Sequence, residues 1–160
     1  MVSICLICVG KLKEKFYIGA AEEYAKRLSA SCKFSLVELP EQPLPDRPSA
    51  AQIELALAKE AERICAAVPK GAVLVALCVE GTLLSSAELA QKLSRWMVEG
   101  SSAIAFLIGG SYGLHESVKR RAALCLSMSP MTFPHHLARV MALEQLYRAF
   151  QILEGTRYHK

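Results

Sequence analysis

Two periods of apolar residues alternate along the chain. Val2 to Val9 is an almost continuous apolar run of strand length, and from Lys15 to Ala30 the residues Phe16, Ala20, Tyr24 and Leu28 return at helical spacing. Phe34 to Leu39 alternates as a second strand. Pro40 to Pro48 then holds four prolines in nine residues, which excludes both helix and central strand and predicts a surface linker. Ser49 opens a helix from Ala50 to about Ala67, which Pro69 and Gly71 end. Ala72 to Val79 and Ala103 to Ile108 are unbroken apolar runs suited to strands buried on both faces. The capping-box spacing Ser85 to Glu88 starts the helix between them, which stops near Glu99 and Gly100. Leu114 to Ala123 reads as a short helix, Leu124 to Ser127 as a short strand, and Pro134 to Leu153 as the longest helix. The alternation predicts an α/β fold with a mostly parallel sheet.

Length supports one domain over residues 1–160, since the 39 residues before the proline-rich linker are too few to bury a core of their own. With 52% apolar and 21% charged residues, the chain is not of the disordered type. No apolar run reaches the roughly 18 residues of a spanning helix, and the amino terminus lacks a basic leader, so a cytoplasmic protein without membrane contact is expected. The six cysteines are scattered through strands and helices, which favours free thiols. Cys5 and Cys8 point to opposite faces of one strand, and no histidine spacing supports a metal site. The formal charge of +4 is unevenly spread. Lys119, Arg120, Arg121, Arg139, Arg148, Arg157 and Lys160 face only Glu144 and Glu154 in the last quarter, while the rest is near balance. Such a patch is either a solvated face or a binding surface for a polyanion.

In parallel sheets ligands sit at the carboxyl ends of the strands, here the loops after Val79, Ile108 and Ser127. Gly109-Gly-Ser-Tyr-Gly113 allows either a close backbone approach to a ligand or a tight turn. Its order is not that of a dinucleotide fingerprint, no phosphate-loop G-K-[ST] is present, and Val2 to Val9 and Ala72 to Cys78 end without the carboxylates of a phospho-acceptor site. Leu126 to His135, stiffened by Pro130 and Pro134, resembles the wall of a small-molecule pocket. On the last helix, Arg139 falls on the most apolar face with Leu143, Leu146 and Phe150. It must therefore either reach water past the helix end or face an anion held there. Glu144 and Arg148 have the spacing of an i,i+4 pair. The helix is apolar beyond one stripe, which makes burial against a second copy plausible.

Gly10-Lys-Leu-Lys-Glu-Lys15, Leu107-Ile-Gly-Gly-Ser-Tyr-Gly-Leu114, Met131-Thr-Phe-Pro-His135, Arg139-Val140, Glu144-Gln-Leu-Tyr-Arg-Ala-Phe150 and Tyr158-His-Lys160 closely resemble the ribosomal large subunit pseudouridine methyltransferase H family, in order and over essentially the whole chain. The resemblance implies a SPOUT-class α/β fold with a trefoil knot near the carboxyl end, working as a homodimer. It also implies transfer of a methyl group from S-adenosylmethionine to ring nitrogen 3 of a pseudouridine in large-subunit (23S) ribosomal RNA, within the assembled ribosome. By position, Leu77, Gly109, Gly110, Leu126, Met128, Ser129, Pro130, Met131, Thr132 and Phe133 would form the cofactor pocket.

His135, Arg139, Tyr158 and His159 are the catalytic candidates for deprotonating the target nitrogen or stabilising charge, and Arg148, Arg157 and Lys160 are expected on the RNA backbone. His159, following a dimer-forming helix, would complete the partner's site. No metal is required by this chemistry. Tyr112 stands where the family often has a smaller or polar residue, and His136 where Pro or Gln is common. The alternative of a different class is a catalytically silent RNA-binding or ribosome-associated dimer.

Overall fold

The computed structural model describes all residues, 1–160. Ten elements follow in order: β1 (Ser3–Val9), α1 (Lys15–Leu28), β2 (Lys33–Leu39), α2 (Ala50–Ala67), β3 (Val73–Leu83), α3 (Ser86–Val98), β4 (Ala103–Ile108), α4 (Glu116–Arg121), β5 (Leu124–Ser127) and α5 (His135–Leu153). All strand pairs are parallel, in the order β2-β1-β4-β3-β5. Period-two alternation sends Ile4, Leu6 and Cys8 of β1 into the core under α1, α3 and α5, and Cys5, Ile7 and Val9 into the core under α2 and α4. Crossovers towards β2 thus carry their helices on one face and crossovers towards β5 on the other, as a single hand of connection requires.

Local chemistry sets the helix starts. Ser49 and Ser85 each close a full capping box, with Gln52 and Glu88. The last helix begins one residue after Pro134, and its buried face is Arg139, Ala142, Leu143, Leu146, Ala149 and Phe150. All six cysteines are free, with Cys5 and Cys8 buried on opposite faces.

Two expectations need correction. Phe16 is 69% exposed, and α1 packs through Tyr17, Ala21, Tyr24 and Leu28 instead. Steps of four advance the face by about 40° each, so Phe16 lies about 120° from Leu28, whereas the 4-3-4 series stays within about 40° of Tyr17. The third strand runs beyond Val79 to Leu83, and only Val75 and Ala76 in it are buried. Its pairing with β5 reaches Leu77↔Leu126 and resumes at Thr82↔Leu126, leaving a bulge over residues 78–81. A Cβ at Gly81 would stand 2.6 Å from the Cys125 carbonyl oxygen, so glycine is what lets the bulged strand return to its neighbour. The proline-rich segment lies on the surface as expected, and side-chain contacts hold it there. The Gln42 N–H donates to Oε2 of Glu60, a residue only 5% exposed, while Arg63 donates to Pro40 O and Gln42 Oε1.

Candidate active site

The β3 bulge, the glycine loop after β4, the loop after β5 and the first turn of α5 enclose a cleft of about 710 Å³ at the carboxyl end of the sheet. It contains nine of the ten residues expected around a cofactor: Leu77, Gly109, Gly110, Leu126, Met128, Ser129, Met131, Thr132 and Phe133. Pro130 is absent from the lining and exposed to solvent. The loop holds itself in place, since the Ser127 hydroxyl donates to Ser129 O at 3.0 Å and the Met131 N–H donates to Ser129 Oγ at 3.1 Å.

The glycine loop is a tight turn as well as a wall. The Gly113 N–H donates to Gly110 O at 3.0 Å, and Gly113 has a φ of 78°. A Cβ on Gly109 would lie 2.2 Å from the Gly113 carbonyl oxygen, so this turn closes only with glycine there. Glu41, from the proline-rich linker, accepts the Ser111 N–H at 3.0 Å, and its carboxylate occupies the space a Gly110 side chain would need. Across the opening, Lys119 Nζ meets Glu80 Oε1 at 2.5 Å.

His135 lines the cleft where α5 begins. Burial holds its pKa below the ordinary histidine value, and the charge of His136 adds to the effect, so the neutral imidazole is favoured. His136 turns away to Glu14, with Nδ1 3.3 Å from Oε2. Of the two expectations for Arg139 the structure takes the second: it does not reach water but faces an anion, the Glu38 carboxylate. Arg139 is 1% exposed, and donates from Nη1 to Glu38 Oε2 at 2.5 Å and from Nη2 to Gly10 O at 2.9 Å. The same Glu38 oxygen accepts the Leu12 N–H at 3.0 Å. One carboxylate at the end of β2 thus ties the loop after β1 to the start of α5, and Arg139 positions the helix that carries His135.

The tail is elsewhere in the chain. Tyr158 donates to Glu144 Oε1 at 3.2 Å, stacks edge-on against Tyr147 and lies under the Arg148 guanidinium, while His159 Nδ1 is 3.4 Å from Arg148 Nη1. Glu144 and Arg148 form the expected i,i+4 pair, with Nη2 2.5 Å and Nε 2.9 Å from Glu144 Oε1. These contacts lie about 9–15 Å along α5 from the cleft wall at Ala138, at ~1.5 Å per residue. Arg157 and Lys160 are exposed beside them.

Sequence reasoning missed Glu38, Glu41, Glu80 and Lys119. A carboxylate closing a strand, together with an arginine on a buried helix face, was the one available signal for the Glu38 pair.

A parallel α/β sheet with a cleft walled by its last strand-end loops is the arrangement of a small methyltransferase, and the chain belongs to the SPOUT methyltransferase family. The family profile described as predicted SPOUT methyltransferase matches residues 2–159. A protein of Methanoregula boonei named "Putative ribosomal RNA large subunit methyltransferase H" is 48% identical over 159 residues, covering 99% of this chain and 100% of that one. Two solved structures share the fold. A "probable methyltransferase" from Bordetella pertussis Tohama I has a TM-score of 0.56 at 19% identity, covering 92% of this chain and 93% of that one. A "probable methylase family protein" from Haemophilus influenzae Rd KW20 has a TM-score of 0.51 at 18% identity, covering 99% and 70%.

Proposed function

We propose that this enzyme methylates ring nitrogen 3 of a pseudouridine in large-subunit (23S) ribosomal RNA on the assembled ribosome, using S-adenosylmethionine. The observation that carries the reading is the cleft, which gathers nine pocket candidates and His135 into one space. Its volume lies in the range of small-molecule sites, and its apolar walls Leu77, Ile108, Leu126 and Phe133 suit an adenine ring and the methylene groups beside the sulfonium. When bound, S-adenosylmethionine supplies an electrophilic methyl group. The chain's own task is then to hold the target base in line and take its proton. The nitrogen is protonated at neutral pH, and each unit its pKa must fall costs about 1.4 kcal/mol. His135, kept neutral by burial, is the base we assign to the cleft.

The tail enters the proposal through a second copy. In its own chain Tyr158 and His159 sit against Glu144 and Arg148, so a homodimer that brings the partner's tail to the cleft would add their side chains to it. Arg148, Arg157 and Lys160 would then meet the RNA backbone beside that tail. A trefoil knot formed by the carboxyl-terminal elements belongs to the same reading, and a chain pulled from both ends would remain shorter than its contour length.

The test is transfer of labelled methyl from S-adenosylmethionine to ribosomes lacking the modification, beside separated subunits and bare RNA. Label on a pseudouridine of whole ribosomes, lost in His135→Ala, is expected. Absence of transfer to any RNA overturns the reading. A mixed dimer of tail-deleted and cleft-blocked chains should recover one working site, and its inactivity would refute the crossed tail.

A further inference from the structure

A row of aromatic rings leads from the protein surface to the cleft. Phe16, 69% exposed, lies against Tyr17 with ring centroids 4.4 Å apart. Tyr17 meets His136 edge-on at 6.4 Å, and His136 meets His135, a cleft wall, at 4.3 Å. Beside this row runs the loop after β1, where Leu12 points into the core and Lys11 and Lys13 are exposed, as is Lys15 at the start of α1. The loop is fixed to the head of α5 by Arg139 on Gly10 O and by Glu14 beside His136, so lysines and rings share one rigid edge. At 69% exposed, Phe16 buries little apolar surface on folding. Together, however, rings for stacking and cations spaced along them are what a single-stranded polynucleotide requires.

We propose that Lys11, Lys13, Lys15, Phe16 and Tyr17 form a platform for the single-stranded RNA flanking the target nucleotide, guiding it to the cleft along the two histidines. The proposal rests on the RNA-methyltransferase reading and adds to it the side of the molecule on which the strand enters. Phosphates would face the lysines while at least one base stacks on Phe16.

The test is binding of a fluorescent single-stranded oligoribonucleotide, and of ribosomes, to the full chain across a salt series. Phe16→Ala should weaken binding by about tenfold, as loss of one stacked base does, and Phe16→Trp should restore it where Phe16→Leu does not. Replacing the three lysines by glutamine should lower the slope of log affinity against log salt by about 2, since each single-strand phosphate contact contributes ~0.7. All substituted side chains are exposed, so thermal midpoint and S-adenosylmethionine affinity are expected to hold. Unchanged RNA affinity and salt slope in both variants would overturn the platform, as would equal competition by polyglutamate, which carries charge but no bases. If these variants lose RNA binding while the unaltered chain transfers no methyl to any RNA, the platform stands and the catalytic reading fails.

Discussion

Removal of the Glu38 carboxylate charge should reveal how much the bond between the two ends of the fold contributes. In Glu38→Gln the Arg139 guanidinium, 1% exposed, keeps its charge and loses its counter-ion. Breaking a fully buried pair costs about 3–5 kcal/mol. The Glu38 side chain is 33% exposed, and glutamine still offers an oxygen to Leu12, which brings the expectation to about 2–3 kcal/mol. For a chain of this length that lowers the thermal midpoint by about 4–12 °C. The effect has a pH signature. Burial alone would raise the Glu38 pKa, but the Leu12 N–H and the Arg139 guanidinium outweigh it and hold the carboxyl below its ordinary value. A carboxylate depressed in the folded state stabilises fully above its unfolded pKa of about 4.3, and loses that stabilisation as pH falls through the folded value. The gap between wild type and Glu38→Gln should therefore be widest near pH 7 and close towards pH 3. The assay is thermal and urea unfolding from pH 3 to 7 at fixed protein concentration. A gap under about 1 °C at pH 7, or one that persists undiminished at pH 3, refutes the reasoning. Glu38→Leu with Arg139→Met, which removes both charges, should recover part of the loss.

The glycine loop makes a steric prediction. Gly109→Ala places a Cβ 2.2 Å from a backbone oxygen, so calorimetric binding of S-adenosylmethionine should fall at least tenfold, and wild-type affinity would contradict the turn geometry. Gly81→Ala presses on the Cys125 backbone at 2.6 Å, and should lower both the unfolding midpoint and cofactor binding, because the same bulge forms one wall of the cleft. With His135 held neutral by burial, the methyl-transfer rate should stay level from pH 8 down to about 6.5 and fall only below it; an unaltered fall in His135→Gln would assign that limb to another group. Burial pushes the Cys8 thiol up to about 12 and Cys32 to about 11, whereas Cys65 is exposed. Alkylation at pH 8, followed by peptide mass, should therefore mark Cys65 and spare the other two.

What could be read from the sequence depended on how local the signal was. The βα alternation, both serine caps and the buried face of α5 rest on neighbours within a turn or two, and the structure places them as expected. The cleft residues were reachable because strand-end loops of a parallel sheet converge, and the resemblance picked the same loops. The Arg139 side chain was legible as a problem but not in its solution, since its partner lies 101 residues away at the far end of a different strand. The bulge in β3 was unreadable for a related reason. Glu80-Gly-Thr looks like a turn, and only pairing with Leu126 makes it strand. The error at Phe16 came from a four-residue repeat that drifts around the helix, and it concealed the exposed ring beside the lysines.

The contacts from Arg139 to Glu38 and Gly10 span 101 and 129 residues, and α5 follows every strand of the sheet in chain order. A chain emerging from synthesis can pair β1 with β2 early, but cannot secure that first loop until its final helix arrives. Such distant closures are slow, and the shorter growing chain has no complete cleft in which to hold a methyl donor. The cleft is complete only once α5 has docked, because His135 and Ala138 in its first turn form part of the wall. A small molecule filling the cleft should act chiefly by delaying the departure of that helix, lengthening the lifetime of the folded protein more than it hastens its formation.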